Sequence, residues 1–207
     1  MTAVIAPDIT RSRGPGRPRD PRVRDTILRA TRRLLVEVGY AELSIERIAE
    51  RGGVSKPTIY RRWPSKGALV WEAVLGKSVV RPLPDSGNVR DDLCTILRWG
   101  VEQTTAPEAH AALPGMLMEL RADPELERLL RAGPIEREHA RIRTVLERAV
   151  VRGELRAEVD LDLVLDTLIG TVLGRALLLD HPLDERFIDA IVDLTLTGAA
   201  AKSDREP

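Results

Sequence analysis

Between Gly53 and Pro64 lies a short segment that is rich in hydroxyl-bearing and cationic side chains. Lysine and arginine donate hydrogen bonds to guanine and to phosphate. The hydroxyls of serine, threonine and tyrosine form hydrogen bonds with bases or with phosphate oxygens. The segment therefore has the chemistry of a surface that binds a polyanion. The candidate contact residues in and beside it are Ser44, Ser55, Lys56, Pro57, Thr58, Tyr60, Arg61, Arg62, Trp63 and Lys66.

The elements that must position these side chains are two short helices separated by a glycine turn. Ser44 is a typical N-cap for the first helix, and Ser55 caps the second, whose first turn accommodates Pro57. Ala49 is small where the helices would cross, and Gly53 falls where the turn requires a positive φ angle. Two short helices that cross at about 90–120° through a tight turn form a helix-turn-helix. We expect Val54 and Ile59 to contact the core and thereby to fix the second helix.

The second helix of a helix-turn-helix inserts its N-terminal part into the major groove of DNA. We expect Lys56 and Thr58 to reach base edges there, and Arg61 or Arg62 to pair with guanine or phosphate. The side chains expected near phosphate oxygens are Tyr60, Trp63 and Lys66. The alternative interpretation is an ordinary helical hairpin with a solvated basic face.

The net charge of zero conceals an uneven distribution along the 207 residues. Residues 1–67 carry 15 Lys and Arg against 7 Asp and Glu, a net charge of +8. Residues 68–207 carry 17 against 25, a net charge of −8. A basic first third suits a polyanionic partner, whereas the acidic remainder does not. We therefore predict a DNA-binding part followed by a part with a different role.

The composition favours an all-α fold, since aromatic residues make up only 3% and no segment alternates like a strand. A first helix is predicted from about Pro21 to Val38, with Gly39 ending it. Residues 81–87 are predicted to form a linker. Later helices are predicted near 88–105, 107–121, 124–131, 134–152, 161–180 and 184–200, the second of them interrupted at Pro114-Gly115. The predicted divisions are a disordered basic arm over 1–20, a three-helix helix-turn-helix domain over 21–80 and a helical bundle over 81–207.

The sequence lacks the motifs that are typical of several other classes of function. The lone Cys94 cannot form an internal disulfide, and it is either a buried small hydrophobe or a redox sensor. His110, His139 and His181 are scattered, and no metal-ligand, nucleophile, P-loop or dinucleotide motif is present, so we expect no enzyme, cofactor or metal. The N-terminus lacks a signal-peptide pattern, and the apolar stretch 161–179 contains charged residues. We therefore expect no membrane association and a cytoplasmic location.

The stretch from Ser44 to Leu69, preceded by Gly39-Tyr40, resembles the DNA-binding domain of the TetR/AcrR family of bacterial regulators. The resemblance covers about residues 22–70. It implies an all-helical homodimer whose first three helices and the start of the fourth bind DNA, while the remainder dimerises and holds an inducer. Pro57 departs from the small residue that the family often has, and it removes one backbone N–H. A weaker resemblance to a TetR C-terminal subtype is carried by residues 83–87, 123–126, 152–155 and 182–185.

A basic arm precedes the helix-turn-helix. Residues 11–19 are rich in arginine, proline and glycine and resemble an AT-hook core. Arg17 and Arg19 would then enter a narrow A·T-rich minor groove, whose negative potential attracts arginine. We expect the arm to raise affinity without setting the main sequence specificity. The alternative is a solvated tail.

The helices predicted over about 161–200 are expected to form a homodimer interface. The stretch 161–179 is apolar nearly all round and must be buried on more than one side. Gly170 and Gly174 would let another helix approach closely. The resemblance implies a four-helix interface across a two-fold axis, which suits a palindromic operator in double-stranded DNA. The alternative is that these helices pack within a monomer.

By the same resemblance, a small-molecule pocket is expected among the helices over 88–152 and the start of 161–180. A pocket needs an apolar lining and a few polar groups. For each candidate, the alternative is ordinary core packing or a surface position. The candidate lining residues are Trp99, Gln103, Met116, Glu119, Leu120, His139 and Leu168.

Three functions remain open from the sequence. The leading one is a repressor whose ligand favours a dimer with wrongly spaced recognition helices. The second is a constitutive or architectural DNA-binding protein without an inducer, which a solid core without an enclosed pocket would favour. The third is an enzyme with an accessory helix-turn-helix, for which no catalytic constellation is present.

Overall fold

The computed structural model describes residues 21–76, 81–179 and 181–199, and within these ranges every regular element is a helix. This confirms the predicted all-α fold. The α-helices in these ranges are α1 (Pro21–Glu42), α2 (Ile45–Gly52), α3 (Lys56–Tyr60), α4 (Lys66–Leu75), α5 (Val89–Thr104), α6 (Pro107–Ala122), α7 (Pro124–Leu130), α8 (Glu136–Val151), α9 (Leu161–Gly174) and α10 (Glu185–Ala199). The π-helical turns Arg131–Ile135 and Arg175–Leu179 follow α7 and α9.

Helix α1 forms because apolar residues recur on one of its faces at helical spacing. Ile27, Ala30 and Leu34 lie on this face and are buried. Gly39 has a φ of 74°, and the resulting kink turns the next residue, Tyr40, into the core. The sequence prediction placed the end of the helix at Gly39, whereas a further short turn continues to Glu42.

Helix α6 runs without a break through Pro114-Gly115, so the predicted interruption is wrong. Proline and glycine inside a helix together cost about 4 kcal/mol relative to alanine. Burial of Ala112, Leu113 and Met116 on either side of the pair outweighs this cost. Gly115 allows α6 to lie close to Tyr40 of α1, because a Cβ at this position would lie 2.7 Å from Cδ1 of Tyr40.

Among the described residues, two apolar cores hold the helices together. The first joins α1 to α4 with α6 and α7, and it includes Ile27, Leu35, Ile48, Ile59, Leu69 and Met116. The second joins α5, α8, α9 and α10, and it includes Leu93, Leu146, Leu165, Leu168 and Ile188. Helices α6 and α7 thus pack with the N-terminal helices although they follow the predicted linker. The boundary predicted near residue 80 marks the linker and not the division between the cores.

Residues 81–88 have no regular secondary structure, and side chains from α5 and α8 hold them in place. Arg141 donates to the carbonyl of Arg81 at 2.8 Å, and Arg148 donates to the carbonyl of Pro84 at 2.6 Å. The buried Asp92 accepts from the N–H of Ser86 at 2.9 Å. These bonds fix the entry to α5 against α8.

We expect Gly115→Ala to lower the free energy of unfolding by about 1–2 kcal/mol, because the added Cβ overpacks the contact with Tyr40. The matched control is Gly100→Ala in α5, where a Cβ meets no atom within 4 Å. That change should raise the free energy of unfolding by about 0.5–1 kcal/mol, because alanine favours the helix. Urea denaturation followed by circular dichroism at one protein concentration measures both. Equal effects of the two substitutions would contradict the close approach of α1 and α6.

Candidate nucleic-acid interface

The turn between α2 and α3 is built from backbone hydrogen bonds around Gly53. Its φ of 61° confirms the predicted positive angle, and its N–H bonds to the carbonyls of Ala49 and Glu50. The N–H of Val54 also donates to the carbonyl of Ala49, at 2.9 Å. The Ser44 hydroxyl accepts from the N–H three residues later at 3.3 Å, which confirms it as the N-cap of α2. Helices α2 and α3 are therefore fixed relative to each other.

Helix α3 is five residues long, and one side chain anchors it. Ile59 is fully buried in the first core, and Val54 packs against the same core from the turn. Both predicted core roles are confirmed. Ser55 occupies the N-cap position, but its Oγ lies 2.9 Å from Oγ1 of Thr58 and makes no capping bond. The two hydroxyls form a polar edge at the N-terminal end of α3.

The predicted contact residues of α3 and the turn after it are mostly accessible. Tyr60 is 51% exposed, and Pro57 and Arg61 are also exposed. Arg62 and Thr58 are partly buried. A short helix anchored by one isoleucine thus turns hydroxyl and cationic groups toward the outside. This arrangement is what contact with base edges and phosphates requires.

Lys56 forms an ion pair that crosses the motif. Its Nζ lies 2.8 Å from Oε1 of Glu46 in the first turn of α2. The hydrogen bond from Lys56 lowers the pKa of the Glu46 carboxyl, and the same bond raises the pKa of the lysine ammonium. Sequence reasoning did not single out Glu46. An acidic residue in the first turn of α2 was the available signal, but the pairing depends on how the two helices cross.

Trp63 lies in the core and not on the exposed surface of the helix-turn-helix. Its side chain is 3% exposed, and its Nε1 donates to Oε2 of Glu72 in α4 at 2.8 Å. This corrects the expectation that Trp63 donates to phosphate, because the indole has a single N–H and that group is already bonded. The bond instead ties the end of the helix-turn-helix to α4.

Lys66 and Glu119, which were expected to contact phosphate and ligand respectively, meet at Tyr40. The Lys66 Nζ lies 4.2 Å from the centroid of the Tyr40 ring and 3.6 Å from Oε2 of Glu119. The Tyr40 hydroxyl donates to the same carboxylate at 2.8 Å. Burial, together with this carboxylate, raises the pKa of the Tyr40 phenol, so the hydroxyl remains a donor. The two residues therefore join α4, α1 and α6. Glu119 does not line the cavity described below, which corrects its assignment to a ligand pocket, whereas the phosphate contact of Lys66 stays a prediction.

The other predicted pocket residues do not gather in one place. Met116 and Leu120 are buried in the first core, and Leu168 is buried in the second. His139 in α8 faces two carboxylates of α9, each at 3.9 Å. Apolar periodicity marks the buried face of a helix, but it does not tell a pocket wall from solid core. For these four residues the alternative interpretation, ordinary packing or a surface position, is the better description.

Trp99 and Gln103 do line a cavity, of about 210 Å³, where α4, α5 and α6 meet. The Arg81 guanidinium carbon lies 5.5 Å from the centroid of the Trp99 ring, and Arg81 donates to Glu102 at 2.9 and 3.2 Å. Gln103 donates to the carbonyl of Val74 near the end of α4 at 3.2 Å. The cavity wall is therefore bonded to the helix that follows the helix-turn-helix.

Arg17 and Arg19 of the predicted arm lie outside the described residues. Within the described ranges, no group of three or more His, Cys, Asp or Glu side chains could hold a metal ion. None of the helices in those ranges combines the length and the apolar character that crossing a bilayer needs. Cys94 is buried, and burial raises the pKa of its thiol, which favours the small-hydrophobe interpretation.

An exposed basic helix-turn-helix joined to a second helical core is typical of a DNA-binding regulator. The sequence matches two family profiles, described as "Bacterial regulatory proteins, tetR family" over residues 27–73 and "Tetracyclin repressor-like, C-terminal domain" over residues 83–195. The chain belongs to the TetR family of bacterial transcriptional regulators. Both resemblances predicted from the sequence are confirmed.

Relatives of nearly full length support the same assignment. The chain is 34% identical over 193 residues to the HTH-type transcriptional regulator Rv1556 of Mycobacterium tuberculosis, covering 90% of this chain and 94% of that protein. The crystal structure of the TetR-family regulator SCO0332 aligns with a TM-score of 0.70 and 34% identity, covering 86% of this chain and 98% of that one. FadR from Bacillus subtilis, solved in complex with stearoyl-CoA, shares the fold at a TM-score of 0.64 and 18% identity, covering 84% of this chain and 98% of that one.

We expect Trp63→Phe to lower the free energy of unfolding by about 1–3 kcal/mol, because the partly buried carboxylate of Glu72 loses the hydrogen bond from the indole and keeps only its ion pair with Arg24. Tyr60→Phe removes an exposed hydroxyl, so it should change stability by less than about 0.5 kcal/mol. It should also weaken DNA binding about two- to fivefold, through loss of a phosphate contact. Urea denaturation and fluorescence anisotropy, with a duplex that the wild type selects from a randomised library, measure the two effects. A stable Trp63→Phe protein with weak DNA binding would restore Trp63 as a DNA contact.

Proposed function

We propose that the chain is a sequence-specific transcriptional repressor that binds a palindromic operator as a homodimer and is released by a small-molecule ligand. The observation that carries the proposal is the contact between α6 and the DNA-binding helices. Gly115 of α6 backs directly onto Tyr40, and Glu119 of α6 pairs with Lys66 of α4. Trp63, just after α3, is bonded to α4 in turn. A displacement of α6 would therefore reach the recognition helix through packed and hydrogen-bonded groups.

In the proposed complex, the N-terminal end of α3 enters the major groove. Lys56 and Thr58 contact base edges, and Arg61 or Arg62 pairs with guanine or phosphate. Arg17 and Arg19 of the arm enter the adjacent minor groove. The remaining residues proposed to face DNA are Ser44, Ser55, Pro57, Tyr60 and Lys66.

The homodimer is proposed to form through the exposed faces of α9 and α10. Leu163 of α9 is 62% exposed, and Leu194 of α10 is 71% exposed. A Cβ built on Gly170 or Gly174 meets no atom of its own chain within 4 Å. Exposed leucines beside helical glycines that contact no other part of the chain suit close packing against the same surface of a second copy. A two-fold axis would then place two recognition helices about one turn of DNA apart.

We expect duplexes selected by the wild type to carry an inverted repeat with half-sites centred about 10 base pairs apart. Gly170→Arg should yield a monomer and reduce affinity for that duplex at least tenfold, since a dimer holds both half-sites at once. Sedimentation equilibrium and fluorescence anisotropy measure these changes. Gly100→Arg is the matched control, because a Cβ there also meets nothing within 4 Å. A dimeric Gly170→Arg protein would contradict the proposed interface.

The ligand is proposed to occupy the cavity lined by Trp99 and Gln103. Its volume of about 210 Å³ is below the roughly 300–1,000 Å³ of pockets for drug-sized molecules, so a compact aromatic compound suits it better than a long chain. A ligand that displaces Gln103 from the carbonyl of Val74 would alter the end of α4. The ligand shifts the equilibrium only by its different affinities for the two states.

We expect members of an aromatic fragment library to raise the melting temperature of the wild type and to weaken its operator binding at least tenfold. Trp99→Ala should abolish both effects, because it removes the ring that walls the cavity. Met118→Ala, a change at a side chain that is 73% exposed on α6, is the control and should keep them. Thermal shift and fluorescence anisotropy are the measurements. Release that survives Trp99→Ala would place the ligand elsewhere.

A constitutive DNA-binding protein without an inducer is the second candidate function. One observation favours it: the side chains of Met116, Leu120 and Leu168 are packed in solid core. This candidate predicts an unchanged operator affinity across the whole fragment library. It also predicts the same inverted repeat, so only the ligand experiment separates it from the repressor.

A further inference from the structure

The ion pair between Glu46 and Lys56 lies between the first turns of the two helices of the helix-turn-helix. Both side chains are more than half exposed, at 61% and 51%. An exposed pair of this kind contributes little to stability. Its main consequence is geometric, because it fixes the end of a long side chain that otherwise samples many rotamers.

Glu46 lies on a capped helix end. The hydroxyl of the N-cap Ser44 accepts from the N–H of Arg47 in the same turn at 3.3 Å. Glu46 also lies in the first turn of α2, where the helix dipole favours negative charge. A carboxylate on a short side chain at this capped end therefore directs the ammonium group of a longer, more flexible lysine.

The ammonium group of Lys56 has three donors. When one of its N–H groups is bonded to Glu46, two N–H groups remain for a partner on the DNA. In the major groove, guanine presents two adjacent acceptors, O6 and N7. A lysine without this tether would pair with whichever phosphate lies within reach, and phosphate contacts carry no direct sequence information. The negative charge of Glu46 also disfavours approach of the pair to phosphate.

We propose that Glu46 is a positioning residue that directs Lys56 to a guanine in each half-site, and that it thereby sets sequence discrimination at that base pair. The inference rests on the proposed function, since it takes Lys56 to be the side chain that reaches base edges. Glu46 acts through Lys56 and makes no base contact of its own. Without the carboxylate, Lys56 moves to phosphate and raises affinity for every sequence.

The experiment compares full-length wild type with Glu46→Gln, Lys56→Met and the double variant. Each protein selects duplexes from a randomised library, and affinities are then measured by anisotropy across a salt series. Glu46→Gln should lose preference at one guanine of each half-site, with a roughly tenfold fall in the ratio of selected to random affinity. It should bind random duplex more tightly, with a salt slope steeper by about 0.9, the value for one added phosphate contact.

The double variant tests whether Glu46 acts through the lysine. In the Lys56→Met background, Glu46→Gln should change the affinity ratio by less than about twofold, since no ammonium remains to be directed. Glu50→Gln, one turn further along α2, removes the same charge and keeps the ion pair. It should leave the base preference unchanged.

Two results would overturn the inference. One is a Glu46→Gln protein that keeps the wild-type base preference. The other is an effect of Glu46→Gln that persists without Lys56, which would mean that the carboxylate acts directly on DNA. Failure of the wild type to enrich any motif would instead overturn the proposed function, and the inference would fall with it.

Discussion

The close approach of α6 to α1 is the contact on which the arrangement of the DNA-binding helices depends. Gly115 lies against the ring of Tyr40 with no space for a Cβ. One turn further along α6, Glu119 reaches the Tyr40 hydroxyl at 2.8 Å and the Lys66 ammonium at 3.6 Å. Because Lys66 begins α4, the same contact sets the position of the helix to which Trp63 is bonded.

The surface proposed to face DNA combines a rigid anchor with movable charges. Ile59 holds α3 in the core, and the turn at Gly53 fixes its angle to α2. The cationic side chains extend from this support, and Lys56 is already paired with Glu46 in the absence of DNA. In the proposed complex Lys56 keeps its bond to Glu46 and offers its two remaining donors to guanine, so a move of the ammonium group to phosphate would cost it this bond.

The sequence predicted local features well and the pocket poorly. Ser44 as an N-cap and Gly53 with positive φ were predictable, because each depends on a few neighbouring residues. Trp99 and Gln103 were assigned to a ligand pocket; they line a cavity between α4, α5 and α6, and its ligand stays a prediction. Met116, Glu119, Leu120, His139 and Leu168 were assigned to the same pocket, and the structure places them elsewhere. Whether a side chain faces a cavity depends on the angles between helices, which the periodicity of one helix does not contain.

The sequence by itself determined the order of the helices and the helix-turn-helix, because caps, turns and apolar periodicity act over a few residues. The family followed from the resemblance of residues 22–70 to known DNA-binding domains. Tertiary packing decided which polar side chains remain available for DNA. Trp63 has the chemistry of a phosphate donor, yet packing against α4 buries it. Pro114-Gly115 has the local preference of a helix break, yet α6 continues through it because burial on both sides outweighs that preference. The physical reason is that burial and interhelical hydrogen bonds depend on residues far apart in the chain.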